Sequence, residues 1–273
     1  MPELPEIETI CIALKKEILG KKITQAIALR TNLRIDIPKD FSEKLTSKII
    51  TDIKRRSKYI QIYLEDIVLI VHLGMSGRFI SYINKRDKII KHDHVIIDLD
   101  NGYELVLNDP RRFGLVTIAP VNNINSHPLF LKLGIEPLTD ELTPEYLQDK
   151  FKKRNTPVKS ILMDNKILVG VGNIYASESL FRSNISPNRP ACSITYSELK
   201  KLSLAVKETL NDAIEAGGSS LKDYVNLSGD PGYFQNKFFV YGKNNQNCIV
   251  CLASIIKTKH SGRATYFCST CQK

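Results

Sequence analysis

Over residues 3–19, apolar side chains recur at Ile7, Cys11, Leu14 and Ile18, the spacing of one helical face, and Gly20 stands where a helix-terminating glycine is expected. One short amphipathic helix is therefore predicted at the start. The period then shortens. KITQAIAL, KIITDIK, KYIQIYL, IVLIVHL, HVIIDLD, YELVLND and GLVTIAP are rich in β-branched and aromatic residues, and Asn101-Gly102 between two of them is a strong hairpin signal. So many short strands with few helices between them predict an antiparallel sandwich or barrel over roughly residues 20–120.

Beyond the turn-rich connection NNINSHPLFLKLGIEPLTD the pattern becomes helical again. In ELTPEYLQDKFKKR, Thr143 suits the N-cap, Pro144 the first helical position and Glu145 the first turn, with Tyr146, Leu147 and Phe151 following at helical spacing. VKSILMD, GNIYASESLFRS and SELKKLSLAVKETLNDAIEAGG keep that period, the last ending in two glycines. The second half is thus predicted to be mainly helical.

Length and charge narrow the class. The 273 residues can bury two modest cores. Lys plus Arg number 39 against 29 Asp plus Glu, a formal charge of +10, which favours an anionic partner such as nucleic acid or a membrane surface. No apolar run is long enough to span a bilayer and no secretory signal is evident, so a cytoplasmic, nucleoid-associated protein is expected. Cys248, Cys251, Cys268 and Cys271 form two C-x2-C pairs at the C-terminus. In a reducing compartment these read as four thiolate ligands to tetrahedral zinc; a secreted chain would instead close two small disulfide loops. Cys11 and Cys192 are isolated, and His260 between the pairs is not needed to complete the shell.

Several stretches could carry chemistry. Gly170, Gly172 and Asn173 make a tight turn into a helix N-terminus, able to present backbone N–H groups to a phosphate, although such glycines are usually only structural. Lys257, Lys259, His260 and Arg263 surround Gly262 at the tip of the cysteine hairpin, either as a phosphate grip or as an ordinary solvated turn. HLGMSGR sets Met75 between glycines, and NDPRRFG sets Phe113 after two arginines; each alone suits a core position, while together beside cations they suit wedges for a base stack. KHDHV and RRSKYI add His92, Arg55, Arg56 and Lys58 to a cationic face. His92 and His94 could share a metal, but no third ligand is evident. Pro2 suits a helix start, and after loss of Met1 it would also be a free secondary amine.

PELPEIET, RRSKYI, HLGMSG, NDPRRFG, GVGNIYASE, GGSSLKDY, GYFQNKFFVYG and the hairpin TKHSGRATYFC, in this order over essentially the whole chain, resemble the bacterial formamidopyrimidine-DNA glycosylase family. The resemblance implies an α+β fold: an antiparallel β-sandwich with its leading helix (2–130), a helix-two-turn-helix domain (131–238) and a four-cysteine zinc finger (239–273). It implies a monomer with one structural zinc and no nucleotide cofactor, acting on damaged double-stranded DNA and not on a membrane. The lesion, 8-oxoguanine or a formamidopyrimidine, would be flipped out, excised, and the strand cut by β,δ-elimination.

By the same resemblance Pro2 is the nucleophile, Glu3 the general acid/base and Glu6 a glutamate that holds the site, with Glu8 on the helix surface. Lys58 and Arg263 match the residues assigned to β- and δ-elimination. His72, His92, Arg111, Arg154, Lys159 and Asn173 match DNA contacts. Met75, Arg111 and Phe113 match the triad that fills the vacated space, with Arg111 facing the orphaned cytosine. GGSSLKDYVNLSG, containing Ser219 and Ser220, matches the loop that covers the flipped base. Arg154 stands where many members have Lys, and Ser219-Ser220 where others have Thr. Two alternatives remain open: an endonuclease VIII-type enzyme for oxidised pyrimidines, against which NDPRRFG and GGSSLKDY weigh, and a non-catalytic zinc-ribbon DNA binder, which would not need Pro2, Glu3 and Lys58.

Overall fold

The computed structural model describes residues 2–220 and 225–273; positions 221–224 of the expected base-covering loop and Met1 lie outside the described residues. Helix α1 spans Leu4–Ile18, with Pro5 in its first turn, and Glu6 in that turn and Lys15 and Lys16 in the last carry the charges that the helix dipole favours there. Its face of Leu4, Ile7, Ile10, Leu14 and Ile18 is fully buried. Burial of side chains of this size stabilises by about 1.5–3 kcal/mol each. The helix ends through Leu19 in extended conformation, and Gly20 (φ +76°) donates its N–H to Ile50 O at 2.8 Å. Gly20 thus turns the chain onto the first strand and does not close the helix itself.

Eight strands follow among the described residues: β1 (Ile23–Ala28), β2 (Asp52–Arg56), β3 (Tyr59–Tyr63), β4 (Ile67–His72), β5 (Arg78–Ile83), β6 (Asp93–Leu99), β7 (Tyr103–Asn108) and β8 (Leu115–Pro120). They form two antiparallel four-stranded sheets, ordered β1-β6-β7-β5 and β2-β3-β4-β8. Inward residues of both sheets, among them Ile53, Ile60, Leu69 and Val116 from one and Ala26, Phe79, Ile97 and Leu105 from the other, join the α1 face in one core. The sandwich expectation holds, with two additions. RFISYI forms β5, although the preceding HLGMSG reads as a loop, and Phe41–Leu45 forms a short helix α2 that buries Phe41 and Leu45 in the same core. The Asn101-Gly102 turn joins β6 to β7, with Gly102 at φ +85° and Asn101 Oδ1 accepting the Tyr103 N–H at 3.3 Å.

The chain divides into two compact units, Met1–Leu131 with Ala216–Gln235, and Lys132–Glu215 with Asn236–Lys273. The second unit holds α3 (Pro144–Phe151), α4 (Val158–Leu162), α5 (Asn173–Arg182), α6 (Tyr196–Glu215) and the hairpin of β9 (Ile256–His260) and β10 (Arg263–Phe267). Thr143 caps α3 as its residue type predicts, accepting the Tyr146 N–H at 3.1 Å. The cysteine hairpin packs on α5, where Phe181 clusters with Val240, Cys248, Ile255 and Cys268. Glu178 of α5 fastens the connection: its carboxylate, 0% exposed, accepts the N–H groups of Phe239, Val240 and Tyr241 at 2.8–3.1 Å. Burial pushes this carboxyl upward in pKa, while the three N–H groups and Arg182 draw it back.

Replacing Glu178 by Ala orphans three backbone donors. The expected outcome is a loss of at least about 3 kcal/mol in urea unfolding. A loss below about 1 kcal/mol would show that water re-solvates this segment.

Candidate active site

The N-terminus is held from below by a carboxylate. Pro2 and Glu3 are buried ahead of α1. Glu6, buried one turn on, accepts the Glu3 N–H at 2.8 Å through Oε2 and the Ser219 N–H at 2.7 Å through Oε1. One side chain therefore pins both the chain start and the base of the 217–220 segment. That base is doubly stapled: Gln235 Oε1 accepts the Ser220 N–H, and Ser220 Oγ accepts the Gly232 N–H, both at 2.9 Å. Any Cβ on Gly232 would lie 2.4 Å from Gly218 O, so the two backbones can approach only with glycine there.

Lys58 sits in a two-residue turn between β2 and β3, after Ser57 in left-handed conformation (φ +56°), and is largely buried. Arg55 steadies this turn, donating from Nη1 to Ser57 O at 3.1 Å and from Nε to Glu8 Oε2 at 2.6 Å. Two expectations are corrected here. Arg55 belongs to no open cationic face because Glu8 engages it, and Glu8 is consequently an ion-pair partner and not merely helix surface. His72, at the end of β4 opposite Tyr59, lies in the positive field of Lys58. Burial, then Arg34, then Lys58, push its pKa down to about 3. It is neutral, with Nδ1 accepting the Gly74 N–H at 2.9 Å, so its proton belongs on Nε2.

The two loops expected from the sequence to carry wedges are neighbours, a Cβ on Gly74 coming within 2.4 Å of the Phe113 carbonyl carbon. Met75 is 39% and Phe113 46% exposed, and the Arg111 guanidinium lies 4.8 Å over the Phe113 ring. Beneath them Asp109, 0% exposed, accepts Ser76 Oγ–H at 2.8 Å and the Gly114 N–H at 2.8 Å. Sequence reasoning missed this residue: an Asp before Pro in a glycine-ended loop reads as an exposed turn former. His94 is buried with Nε2 against Asp109 O at 2.8 Å, while His92 (φ +76°) is half-buried just before β6. These two histidines do not join a ligand cluster among the described residues.

In the second unit, Lys159 on α4 is 1% exposed and donates to Asn173 Oδ1 at 2.7 Å, Thr265 Oγ1 at 2.8 Å and Ala264 O at 3.1 Å. Asn173, the first residue of α5 behind Gly172, donates in turn to Tyr241 OH at 3.2 Å. The Thr265 hydroxyl, which accepts from this ammonium, also lies in hydrogen-bond contact with His260 Nδ1, 3.1 Å away. Burial and the Lys159 charge hold the His260 pKa below its usual value. Lys159, Asn173 and His260, with Ser160, Met163, Ser261 and Arg263, line a cleft of about 90 Å³. Ser261 (φ +46°) and Gly262 (φ +80°) form its two-residue tip, which leaves Arg263 exposed at the start of β10. Arg154 is exposed after α3, with Nε donating to Lys150 O at 3.2 Å.

The four predicted cysteine ligands do converge. Their sulfur atoms lie within 4.8 Å of one another, with Cys248–Cys271 at 3.8 Å and Cys251–Cys268 at 3.4 Å. A tetrahedron with metal–sulfur bonds of about 2.3 Å has edges of about 3.8 Å, so the donor set fits a single metal ion.

Comparisons with known proteins agree with this arrangement. Residues 1–116 match the model of the formamidopyrimidine-DNA glycosylase N-terminal domain, and residues 133–225 that of the formamidopyrimidine-DNA glycosylase H2TH domain. The chain is 50% identical over 273 residues to the formamidopyrimidine-DNA glycosylase of Wolbachia pipientis subsp. Culex pipiens, covering 100% of both chains. To that of Rickettsia felis it is 47% identical, covering 100% of this chain and 98% of the other. Among solved structures it is similar to a mutant Lactococcus lactis FPG bound to Fapy-dG-containing DNA (TM-score 0.92, 33% identity, 100% of both chains). It is also similar to MutM (FPG) of Thermus thermophilus (TM-score 0.88, 36% identity, 99% and 98% of the chains).

The depressed His72 pKa has a definite sign. The unfolded chain takes up the His72 proton near pH 6.5 and the folded chain only near 3, so the stability that His72 contributes is complete above about 6.5 and drains away as pH falls towards 3. His72→Asn keeps an acceptor for the Gly74 N–H without the titration. Between about pH 7 and about pH 5 the wild type is expected to lose about 1–2 kcal/mol more in urea unfolding than this variant. Parallel profiles would disprove the assignment.

Proposed function

The chain belongs to the formamidopyrimidine-DNA glycosylase family, and we propose that it excises 8-oxoguanine and formamidopyrimidines from duplex DNA and then cuts the strand at the abasic site. The observation that carries this reading is the fixed N-terminus: Glu6 ties the Glu3 amide to the Ser219 amide, so the chain start is set beside the segment matched to base covering. After removal of Met1, the Pro2 nitrogen attacks C1′ as the base departs. An α-amino group has a pKa of about 8, against about 10.4 for lysine, so a useful fraction is unprotonated near neutrality. A secondary amine forms an iminium that stays cationic with no proton to lose, and it draws electrons from the neighbouring carbon.

Glu3 protonates the departing sugar oxygen and relays protons as the ring opens. Lys58 serves the β-elimination that releases the 3′ phosphate, and Arg263 the δ-elimination that releases the 5′ side. His72, His92, Arg111, Arg154, Lys159 and Asn173 serve DNA binding. Met75, Arg111 and Phe113 occupy the space left by the flipped nucleotide, Arg111 facing the orphaned cytosine with its bidentate-capable guanidinium. Ser219 and Ser220 begin the loop that closes over the base.

We assign zinc to the four-cysteine site, since four thiolates in tetrahedral array suit that ion and it brings no redox chemistry. Its contribution would be structural: Cys248, Cys251, Cys268 and Cys271, on either side of the hairpin that presents Arg263, would hold the ion and so fix the hairpin's base. Functionally we parse the chain at 2–130, 131–238 and 239–273, working as a monomer in the bacterial cytoplasm on nucleoid DNA.

Borohydride added during turnover of an 8-oxoguanine duplex tests the chemistry by reducing the iminium to a stable amine. The expected product is a covalent adduct mapping to Pro2. Absence of an adduct, in protein whose intact mass shows that Met1 is gone, would refute the nucleophile. Better incision of thymine glycol opposite adenine than of 8-oxoguanine opposite cytosine would refute the substrate.

Metal analysis tests the zinc assignment. One zinc per chain is expected, and its removal by a chelator should weaken duplex binding by about tenfold or more through loss of the hairpin phosphate contact. Unchanged binding by metal-free protein would overturn the role given to the ion.

A further inference from the structure

We propose that Asp109 is the positioning residue of the void-filling triad, locking the Met75 loop and the Arg111–Phe113 loop into one body and so setting how sharply the base opposite a flipped lesion is read. The inference rests on the function proposed above. Met75, Arg111 and Phe113 are exposed and lie on two separate turns, one between β4 and β5 and the other between β7 and β8. A side chain inserted into stacked bases must resist a restoring force of a few kcal/mol. A guanidinium that reads a base edge must also be held within about half an ångström. Among the described residues, the exposed side chains supply no restraint beyond the packing of Arg111 on Phe113.

The restraint lies underneath. Asp109 Oδ1 accepts Ser76 Oγ–H from the first loop at 2.8 Å and the Arg111 N–H from the second at 3.3 Å. Its Oδ2 accepts the Gly114 N–H at 2.8 Å, closing the second loop on the same carboxylate. Ser76 Oγ also accepts the Arg111 N–H at 3.2 Å, completing a ring of contacts across both loops. The loops touch backbone to backbone, since a Cβ on Gly74 would lie 2.4 Å from the Phe113 carbonyl carbon. The Asp109 backbone is anchored as well: its N–H donates to His92 O at 3.0 Å and its carbonyl accepts the Arg112 N–H at 3.2 Å and lies 2.8 Å from His94 Nε2. Being 0% exposed, the carboxylate cannot touch DNA, so it acts only through the loops it joins.

Asp109→Asn is the decisive variant, because it keeps the shape while turning one acceptor into a donor that faces an N–H or O–H donor. Three rates are compared with wild type: excision of 8-oxoguanine opposite cytosine, its excision opposite adenine, and borohydride trapping on a single-stranded abasic oligonucleotide, which has neither an opposite base nor a void. The cytosine-to-adenine ratio is expected to fall about tenfold, while single-strand trapping stays within about twofold. Ser76→Ala, which removes one link only, should shift the ratio the same way by less, and it carries the test if thermal melts show that Asp109→Asn does not fold. An unchanged ratio in the folded variants, or equal losses on both substrates, overturns the proposal. If wild-type protein itself neither excises nor traps, the fault lies with the underlying function and not with Asp109.

Discussion

A chain terminus is ordinarily the least restrained part of a fold, and under the function proposed above this one has to be among the most restrained, because the nitrogen assigned as nucleophile would be the first atom of the chain. Helix α1 meets this demand by burial. Ile7, Ile10, Leu14 and Ile18 are embedded between residues of both sheets, so the first turn cannot shift without opening the core. Glu6 then holds the residues ahead of the helix through the Glu3 amide. A buried carboxylate is costly unless donors surround it. The second donor, the Ser219 N–H, comes from a segment more than two hundred positions along the chain. The requirement that stabilises the charge is therefore what ties the two functional segments together.

The same device recurs. Glu6, Asp109 and Glu178 are all buried, and each collects N–H or O–H donors from stretches that lack regular hydrogen-bond ladders. Loops need such partners, since a buried backbone donor without an acceptor costs as much as a lost hydrogen bond. In a chain of formal charge +10, these acids are spent inside as fasteners while Arg111, Arg154 and Arg263 remain exposed.

Features set by local pattern were legible in the sequence: the α1 stripe, the Thr143 cap, the Asn101-Gly102 turn, most strands and the paired cysteines. β5 was obscured because RFISYI follows directly on a glycine-rich loop, and the five residues of α2 are too few for a helical period to emerge. The roles of Asp109, Thr265 and Gln235 depend on which distant amide or hydroxyl each meets, and no periodicity encodes that. Arg55 and Glu8 illustrate the same limit. Each looks like a surface charge in the sequence, and only the pairing of α1 with β2 brings them together. The motifs NDPRRFG and GGSSLKDY suggested a wedge and a covering loop by resemblance, but nothing in them tells that Asp109 meets Ser76 or that Ser219 meets Glu6.

The two histidines next to buried lysines reveal how charge is kept where it is wanted. A protonated imidazole beside Lys58 or Lys159 would lower the lysine's affinity for its own proton through repulsion. His72 and His260 are instead depressed by burial together with those same lysine charges, so each remains neutral where histidine usually titrates. Neutrality also sets their hydrogen-bond roles. His72 Nδ1 is free to accept the Gly74 N–H that begins the Met75 loop, and His260 Nδ1 shares a hydrogen bond with Thr265, which accepts from Lys159. As pH falls, adding a proton to His72 removes the acceptor that orients Gly74, the residue that leads into the Met75 loop.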